Sequence, residues 1–251
     1  MSYKLSLPIL FLLFVLNSSI KAYGSTFFDP ITVTTALDSL DGDTTSIANL
    51  IATPGADMKI SLREAIIATN RTVGKDTIQF NIDSLDAGFN DTSWVIQQLT
   101  QYPKITDPIS IDGYTQPGTQ MNNLIDTSGQ YAALDMTHKL SIVLRGISNN
   151  FLDSSGLYLT SAATNSKITG LVIQNCNNGL ISYADTLVVT GNYFGTTADG
   201  LQPRDNDYCM SIIGNNITII NNLITGYNSG SARGIVLGEK EICTMLTACA
   251  R

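Results

Sequence analysis

Two short hydrophobic patterns alternate along the chain between Gly156 and Leu237. In the first, a small residue precedes alternating apolar positions, and this pattern begins at residues 156, 179, 209 and 234. In the second, apolar positions flank a small or asparagine residue, and this pattern begins at residues 168, 189 and 219. Both series widen over the same interval, so a single insertion within Gly195–Asn206 explains both. Two interleaved patterns that share a period and an insertion predict a structural repeat.

This repeat predicts a parallel β-helix. Each unit has about 21–25 residues, which is the size of a stacked solenoid repeat, and holds two short strands with apolar residues at every second position. Because no helix-length segment separates the strands, each strand is expected to pair with its equivalent one unit away. The interior would then be filled by stacked apolar side chains, with Leu157, Leu180, Met210 and Ile235 one above another.

Asparagine and glycine separate the strands, as at Gly191–Asn192 and Asn221–Asn222. Both residue types tolerate the left-handed backbone that a tight corner requires. Asn192 and Asn222 occupy equivalent places in consecutive units. The sequence therefore predicts a ladder of hydrogen bonds between these two side chains at one corner.

Two blocks of the repeat resemble the right-handed parallel β-helix repeats of large secreted bacterial proteins, namely ITGLVIQNCNNGL and VVTGNYFGTTADG. The run from Gly191 to Gly200 is similar to a recurring segment of those repeats. The resemblance implies an all-β fold and the right hand of the helix, which the spacing alone does not determine. Residues 83–238 are assigned to this parallel β-helix.

The region before the repeats is predicted to contain a strand, an acidic turn, a short helix and a second strand. Alternating Ile31 and Val33 indicate the first strand, and Asp76–Phe80 the second. Between them, Ser61 and Glu64 have the spacing of a capping box. The apolar residues that follow Ser61 recur on one helical face, so both residues are expected to have structural roles.

The run ISLREAIIATN, followed by DTIQF, closely resembles the CSLREA domain, which precedes β-helix or adhesin-like repeats in secreted proteins. Residues 25–82 are assigned to this N-terminal module. Ile60 stands where the family has a cysteine, so a thiol role of that position is absent. The resemblance implies a short α-helical cap over the first coil of the β-helix.

The chain begins with a targeting segment. Lys4 supplies a positive start, Leu5–Leu16 is an apolar run too short to span a bilayer, and Ala22–Gly24 gives a small-x-small cleavage site. Residues 1–24 are therefore predicted to be a signal peptide, and no second apolar run of spanning length follows. The protein is expected to be secreted or at the cell surface. Its net charge of −7 argues against nucleic acid as a partner.

The last segment, residues 239–251, has no Asn or Gly corners and is predicted to be an irregular tail. This feature suggests that the chain is a fragment of a larger surface protein. The sequence does not determine the pairing of its four cysteines. For Cys176 and Cys209, within the repeats, small buried thiols are the expectation, whereas Cys243 and Cys249 belong to the tail.

Carboxylates and arginines around the repeats are the candidates for catalysis. A β-helix lyase needs carboxylates to hold Ca²⁺ and a base, and a hydrolase needs paired carboxylates. The densest group lies on the inserted loop, where solenoids often carry binding residues. The candidate catalytic residues are Arg204, Asp205, Asp207, Asp185 and Asp153, with Arg145 as a second candidate base and Asp199 as a further carboxylate. The alternative interpretation is that these are solvated loop charges.

The acidic turn before the helix offers a candidate metal site. Asp38, Asp41 and Asp43 surround a glycine, and three carboxylates suit a hard cation such as Ca²⁺. Their spacing does not match an EF-hand loop, and an acidic surface turn is the competing interpretation. No other cofactor is expected.

These features favour a secreted or cell-surface β-helix scaffold that acts in adhesion or carbohydrate contact without catalysis. Its expected partners are extracellular glycans or cell-surface components. A polysaccharide lyase or glycoside hydrolase of the β-helix type is the alternative from the enzyme class. That hypothesis requires convergence within about 8 Å on one face of at least three residues among Asp153, Asp185, Asp205, Asp207 and Arg204.

Overall fold

The computed structural model describes residues 30–121, 139–147, 154–225 and 233–238, together with the backbone of residues 243–249. The predicted signal peptide, the candidate Asp153 and the side chains of Cys243 and Cys249 lie outside the described residues. Within them, the fold is mostly β, with two short α-helices, α1 (Ile47–Ala52) and α2 (Leu62–Thr69).

The strands are short and surround one main hydrophobic core. A single turn of 3₁₀ helix, Gly113–Thr115, follows the fifth strand. In chain order the strands are β1 (Ile31–Val33), β2 (Asp76–Phe80), β3 (Phe89–Asn90), β4 (Ser93–Gln97), β5 (Ile109–Asp112), β6 (Ile142–Arg145), β7 (Ser155–Leu159), β8 (Lys167–Thr169), β9 (Leu171–Gln174), β10 (Asn178–Ser182), β11 (Val188–Thr190), β12 (Tyr193–Phe194), β13 (Tyr208–Ile212), β14 (Ile217–Ile224), β15 (Arg233–Leu237) and β16 (Cys243–Cys249).

Parallel pairing arranges these strands in three rows. The first row is β1, β2, β5, β8, β11 and the first half of β14. The second row is β4, β6, β9, β12 and the second half of β14, and the third is β7, β10, β13 and β15. From β5 to β15, the chain visits the three rows in turn. The short β3 pairs antiparallel with β4.

The register of the third row confirms the predicted stack of apolar residues. Leu180 pairs with Leu157 on one side and with Met210 on the other, and Met210 pairs with Ile235. Leu157, Leu180 and Met210 belong to the main core, and Ile235 packs against it. The alternation of strand residues thus places each equivalent side chain over the one before it.

The predicted asparagine ladder is present at the corner between the first and second rows. The Asn192 amide nitrogen donates to the Asn222 amide oxygen over 3.1 Å, and the backbone N–H of Asn192 donates to the same oxygen over 2.9 Å. Both side chains are fully buried. The preceding residues, Gly191 and Asn221, have φ angles of 67° and 56°, a left-handed corner that glycine and asparagine adopt most easily.

The N-terminal helix α2 begins with the predicted capping box. Ser61 Oγ accepts from the Glu64 N–H, while a Glu64 carboxylate oxygen accepts from the Ser61 N–H. The other Glu64 oxygen accepts from the N–H groups of Asp41 and Gly42, each over 2.8 Å. Glu64 is fully buried, so this one carboxylate joins the acidic turn to the helix.

Two local predictions were wrong. A second helix, α1, precedes α2, and Ser46 caps it by accepting from the Asn49 N–H. The segment from residue 239 was predicted to be irregular, but its backbone forms β16, which pairs in parallel with β14. The β-branched Thr244 and Thr247 are compatible with a strand, although no Asn or Gly corner marks it.

One buried carboxylate in the first row lacks a partner. Both carboxylate oxygens of Asp76 are buried without a hydrogen bond, and the residue is 2% exposed. Burial raises the pKa of Asp76 to about 6, and the nearby charge of Asp107 contributes to the same shift. Ionising this group therefore costs free energy in the folded protein.

We predict that Asp76→Asn stabilises the protein by about 2 kcal/mol near pH 7.5 and has little effect near pH 4. The pKa of Asp76 in the folded protein lies above the ordinary aspartate value of 3.8, so the wild type loses stability as the pH rises through this interval. Ionisation of Asp76 costs the folded wild type about 3 kcal/mol. The variant recovers only part of this free energy, because the asparagine amide also lacks hydrogen-bond partners.

Urea unfolding of both proteins at the two pH values measures this difference. Asp205→Asn, which changes a half-buried loop carboxylate, is the control and should show no such pH-dependent gain. A difference for Asp76→Asn that is equal at the two pH values would contradict the prediction.

Candidate functional site

A polar cleft of about 230 Å³ lies on the outer side of the second row. Its floor includes Val95 and Val143. The turn between β3 and β4, residues 90–93, supplies one group of lining side chains, and Thr197–Asp199 of the inserted loop supplies another. The insertion detected in the repeat is therefore part of this cleft.

The alternation of the second row explains why this floor faces outward. Ile96 and Leu144 lie in the main core, so the residues before them, Val95 and Val143, point to the opposite side. Val143 belongs to a separate outer cluster of buried residues against which Val95 and Ala198 pack. The inserted loop thus covers an apolar strip of the sheet and leaves the cleft beside it.

A register-matched trio of polar residues crosses the second row beside this floor. Gln97 pairs with Arg145, which pairs with Gln174. With its amide oriented by these partners, the Gln174 oxygen accepts from Arg145 Nε over 3.2 Å and from Nη2 over 3.3 Å, and its nitrogen donates to the Thr196 carbonyl over 3.0 Å. Gln174 therefore holds the guanidinium of Arg145 and joins it to the inserted loop.

A second arginine, Arg204, lines the same cleft. It is exposed, and its Nη1 donates to the Pro203 carbonyl over 2.9 Å. Burial lowers the pKa of Arg145, and the charge of Arg204 lowers it further. Among the described residues, the salt bridges are Lys59–Asp86 and Arg63–Asp38. Neither arginine of the cleft is therefore neutralised by a carboxylate there.

The cleft also contains two carboxylates, Asp91 and Asp199. A carboxylate oxygen of Asp199 accepts from the Thr197 hydroxyl and from the Leu201 N–H. Asp199 therefore shapes its own loop. Asp91 lies in the turn between β3 and β4, with a left-handed φ of 53°.

The predicted catalytic residues are only partly brought together. Arg204, Arg145 and Asp199 line the cleft, whereas Asp205 and Asp207 do not. Asp185 follows the carboxyl end of β10, and its Oδ1 accepts from the Asn215 backbone and amide nitrogens over 2.7 and 3.1 Å.

The strand register separates Asp185 from the acidic end of the inserted loop. Asp207 immediately precedes β13, whose first residue pairs with the first residue of β10. Asp185 lies beyond the last residue of β10, at the opposite end of that strand. These positions differ by the length of a five-residue strand, about 17 Å. Asp185 therefore lies apart from Asp205 and Asp207 on the third row.

The candidate metal residues in the acidic turn serve three separate purposes. Asp38 forms an ion pair with Arg63, Asp41 accepts from the Ala56 N–H, and Asp43 accepts from the N–H and hydroxyl of Thr45. In the part of the chain that the structure describes, no group of three His, Cys, Asp or Glu residues is arranged to hold a metal ion. The structure does not gather Asp38, Asp41 and Asp43 into one cation site.

The two cysteines of the repeats are buried, as expected. Burial raises the pKa of the Cys176 thiol to about 12, so it stays protonated at neutral pH. Nearby, Asn206 at the end of the inserted loop is fully buried. It accepts from the Cys176 N–H and donates to the Ile173 carbonyl, each over 2.9 Å, which anchors the loop to the repeat.

A pair of aromatic rings lies on the outer face of the third row. The ring centroids of Tyr158 and Tyr183 are 5.9 Å apart. Lys104 Nζ stands 4.5 Å from the centre of the Tyr158 ring, a cation–π distance. Tyr183 is exposed, so one ring of the pair is open to solvent.

Sequence reasoning did not identify the turn at residues 90–93 or Gln174 as part of a site. No local pattern marks the antiparallel pairing of β3 with β4 that forms this turn. The available signal for Gln174 was its position at the end of an apolar strand, in the same place as Arg145.

No helix of the described residues is both long enough and apolar enough to cross a membrane. Comparisons with protein-family models, with curated proteins and with solved structures found no match for this chain.

Proposed function

We propose that this protein is an exported right-handed parallel β-helix, capped by a CSLREA-type module, that contacts extracellular or cell-surface carbohydrate. Three rows of in-register parallel strands support the β-helix. The capping box and the burial of α2 support a structural role for the module. The targeting segment of the sequence supports export.

The observation that carries the proposal is the lining of the cleft. Amide, hydroxyl and guanidinium groups surround an apolar floor, and such groups form hydrogen bonds with the hydroxyls of a sugar while apolar side chains contact its C–H faces. Asn90 and Thr92 are exposed at this cleft. Among the described residues, neither side chain is committed to another protein group.

The aromatic pair on the third row is a second feature that favours carbohydrate. Exposed tyrosine rings offer flat apolar faces with a polar hydroxyl at the edge, which suits the alternating C–H and O–H groups of a pyranose. Tyr158 and Tyr183 lie on adjacent strands or their ends. A glycan chain would therefore meet complementary surfaces on two rows of the scaffold.

Glycan cleavage is the second candidate function, and Asp91 with Asp199 in one cleft is the observation that favours it. A hydrolase needs one carboxyl as acid and another as base or nucleophile. Asp199 is already held by Thr197 and Leu201, and it supports the loop. We therefore place contact without catalysis first.

If the cleft binds glycan, the double variant Asn90→Ala, Thr92→Ala should bind it about tenfold more weakly than the wild type does. Each lost hydrogen bond contributes about 0.5–1.5 kcal/mol. A glycan array identifies ligands of the wild type, and calorimetric titration compares the variants. Both residues are exposed, so the fold should be unaffected.

The matched control is Asn81→Ala, Thr106→Ala, which changes the same residue types at exposed positions outside the cleft. It should bind like the wild type. Unchanged affinity of the cleft variant would remove the cleft from the contact, and an array without any ligand would overturn the proposal. Release of shortened glycans, lost in Asp91→Asn, would instead establish the enzyme.

A further inference from the structure

We propose that the cleft selects glycans carrying an anionic group, a uronate carboxylate or a sulfate ester, and that Arg145 and Arg204 bind this group. The inference rests on the proposed carbohydrate contact and names the chemistry of its ligand. It depends on two guanidinium groups that line one cleft without a carboxylate partner among the described residues.

Arg145 is positioned before any ligand arrives. Its Nε and Nη2 donate to the Gln174 amide oxygen, and Gln174 is almost fully buried and also bonded to the Thr196 carbonyl. The other N–H groups of the guanidinium have no acceptor in the described residues. A guanidinium held in one plane can present two parallel donors to a carboxylate or sulfate, with less ordering cost than a free side chain.

Arg204 brings a second positive charge to the same place. Burial lowers the pKa of Arg145, and the charge of Arg204 lowers it further, because the two like charges raise each other's free energy. An anion between them would relieve this repulsion. The chain as a whole has a net charge of −7, so a pair of unneutralised arginines is a local departure from its general character.

The acidic residues of the cleft do not neutralise the two arginines in place of a bound anion. Asp199 faces its own loop, where it accepts from the Thr197 hydroxyl and the Leu201 N–H. Asp91 lines the cleft from the exposed turn before β4, and it forms no salt bridge with either arginine. These carboxylates would instead repel a highly charged polyanion, which favours a ligand with isolated charges.

The test compares sugars that differ only in charge. Wild-type protein is titrated with a largely methyl-esterified oligogalacturonate that keeps isolated carboxylates and with its complete methyl ester, and in a second arm with a monosulfated oligosaccharide and its desulfated form. The charged member of at least one pair should bind about 10–100-fold more tightly, because a charge-assisted hydrogen bond contributes about 1.5–3 kcal/mol. The arm that shows this preference identifies the carboxylate or the sulfate as the source.

Arg204→Gln and Arg145→Gln should each lower the affinity for the charged sugar by about tenfold or more, lower that for the neutral sugar much less, and so remove most of the preference for the charged sugar. Arg204 is exposed, so its variant tests the inference even if Arg145→Gln disturbs the fold. The control Arg233→Gln removes an exposed arginine that lies on the third row and should bind like the wild type.

The outcomes distinguish selection of anionic glycans from carbohydrate binding in general. Equal binding of charged and neutral sugars by the wild type, at the cleft, overturns the inference and leaves the carbohydrate contact standing. A preference that persists in both arginine variants also overturns it. Absence of binding to all four probes and to the glycan array overturns both.

Discussion

Arg63→Met is expected to lower the free energy of unfolding by about 3–5 kcal/mol at neutral pH. Arg63 Nε and Nη2 donate to the two carboxylate oxygens of Asp38 over 2.8 and 2.7 Å. The side chains are 10% and 0% exposed. Methionine fills much of the volume but leaves the carboxylate of Asp38 buried without a counter-charge.

The same guanidinium also closes the N-terminal module against the chain that follows β4. It donates to the carbonyls of Thr100 and Gln101 over 2.7 and 3.0 Å, and lies 5.1 Å from the ring centre of Tyr102. The variant therefore loses hydrogen bonds as well as charge neutralisation. Arg63→Lys should recover only part of the loss, because an ammonium cannot form the two-point contact.

Chemical denaturation measures the effect, with Lys59→Met as the comparison. Lys59 also pairs with a buried carboxylate, Asp86, but its side chain is 40% exposed. Asp86 keeps the Thr35 hydroxyl and the Ala36 N–H as donors, so a loss of about 1 kcal/mol is expected. Equal decreases in the free energy of unfolding of the two variants would show that the deeper burial of the Arg63–Asp38 pair does not increase its contribution to stability.

Asn192→Ala is expected to destabilise the protein by about 3 kcal/mol, because several buried polar groups lose their partners together. The Asn192 side chain accepts from the Leu171 N–H over 3.0 Å and donates to the Ile168 carbonyl over 2.9 Å. It also donates to Asn222, the next member of the ladder. At this fully buried corner, water cannot replace these contacts without moving the backbone.

The comparison is Asn178→Ala, which removes a half-buried asparagine whose amide donates to Asn177. It should cost less than about 1 kcal/mol. Asn222→Ala should resemble Asn192→Ala, and the double variant should cost less than the sum because the two share a hydrogen bond. Additive losses would argue against a coupled ladder.

Most of the local structure could be predicted from the sequence. The capping box of Ser61 and Glu64 depends on residues three apart, and the Asn192–Asn222 ladder on equivalent positions in consecutive units. The stack from Leu157 to Ile235 follows from the same period. Helix α1 was missed because it has six residues, too few for the spacing of Ile47 and Leu50 to stand out, and strand β16 because it has neither an alternating apolar pattern nor corner residues.

The candidate site was less accessible to such reasoning. The sequence indicated the inserted loop and named Arg145 and Arg204, but it grouped Arg204 with Asp205 and Asp207 rather than with the turn before β4. It also placed Asp38 in a metal site, although its partner is Arg63. These assignments depend on contacts between residues tens of positions apart, for which the chain carries no periodic signal.

The sequence by itself determined the repeat, its corners and the capped helix, because each arises from hydrogen bonds and alternation within a few residues or one repeat unit. Only the tertiary structure decided which loops meet, which charges are buried in pairs and which arginines share a cleft. The physical reason is that parallel pairing joins strands far apart in the chain. Their register brings Arg145 to Gln174 and, through the inserted loop, to Arg204.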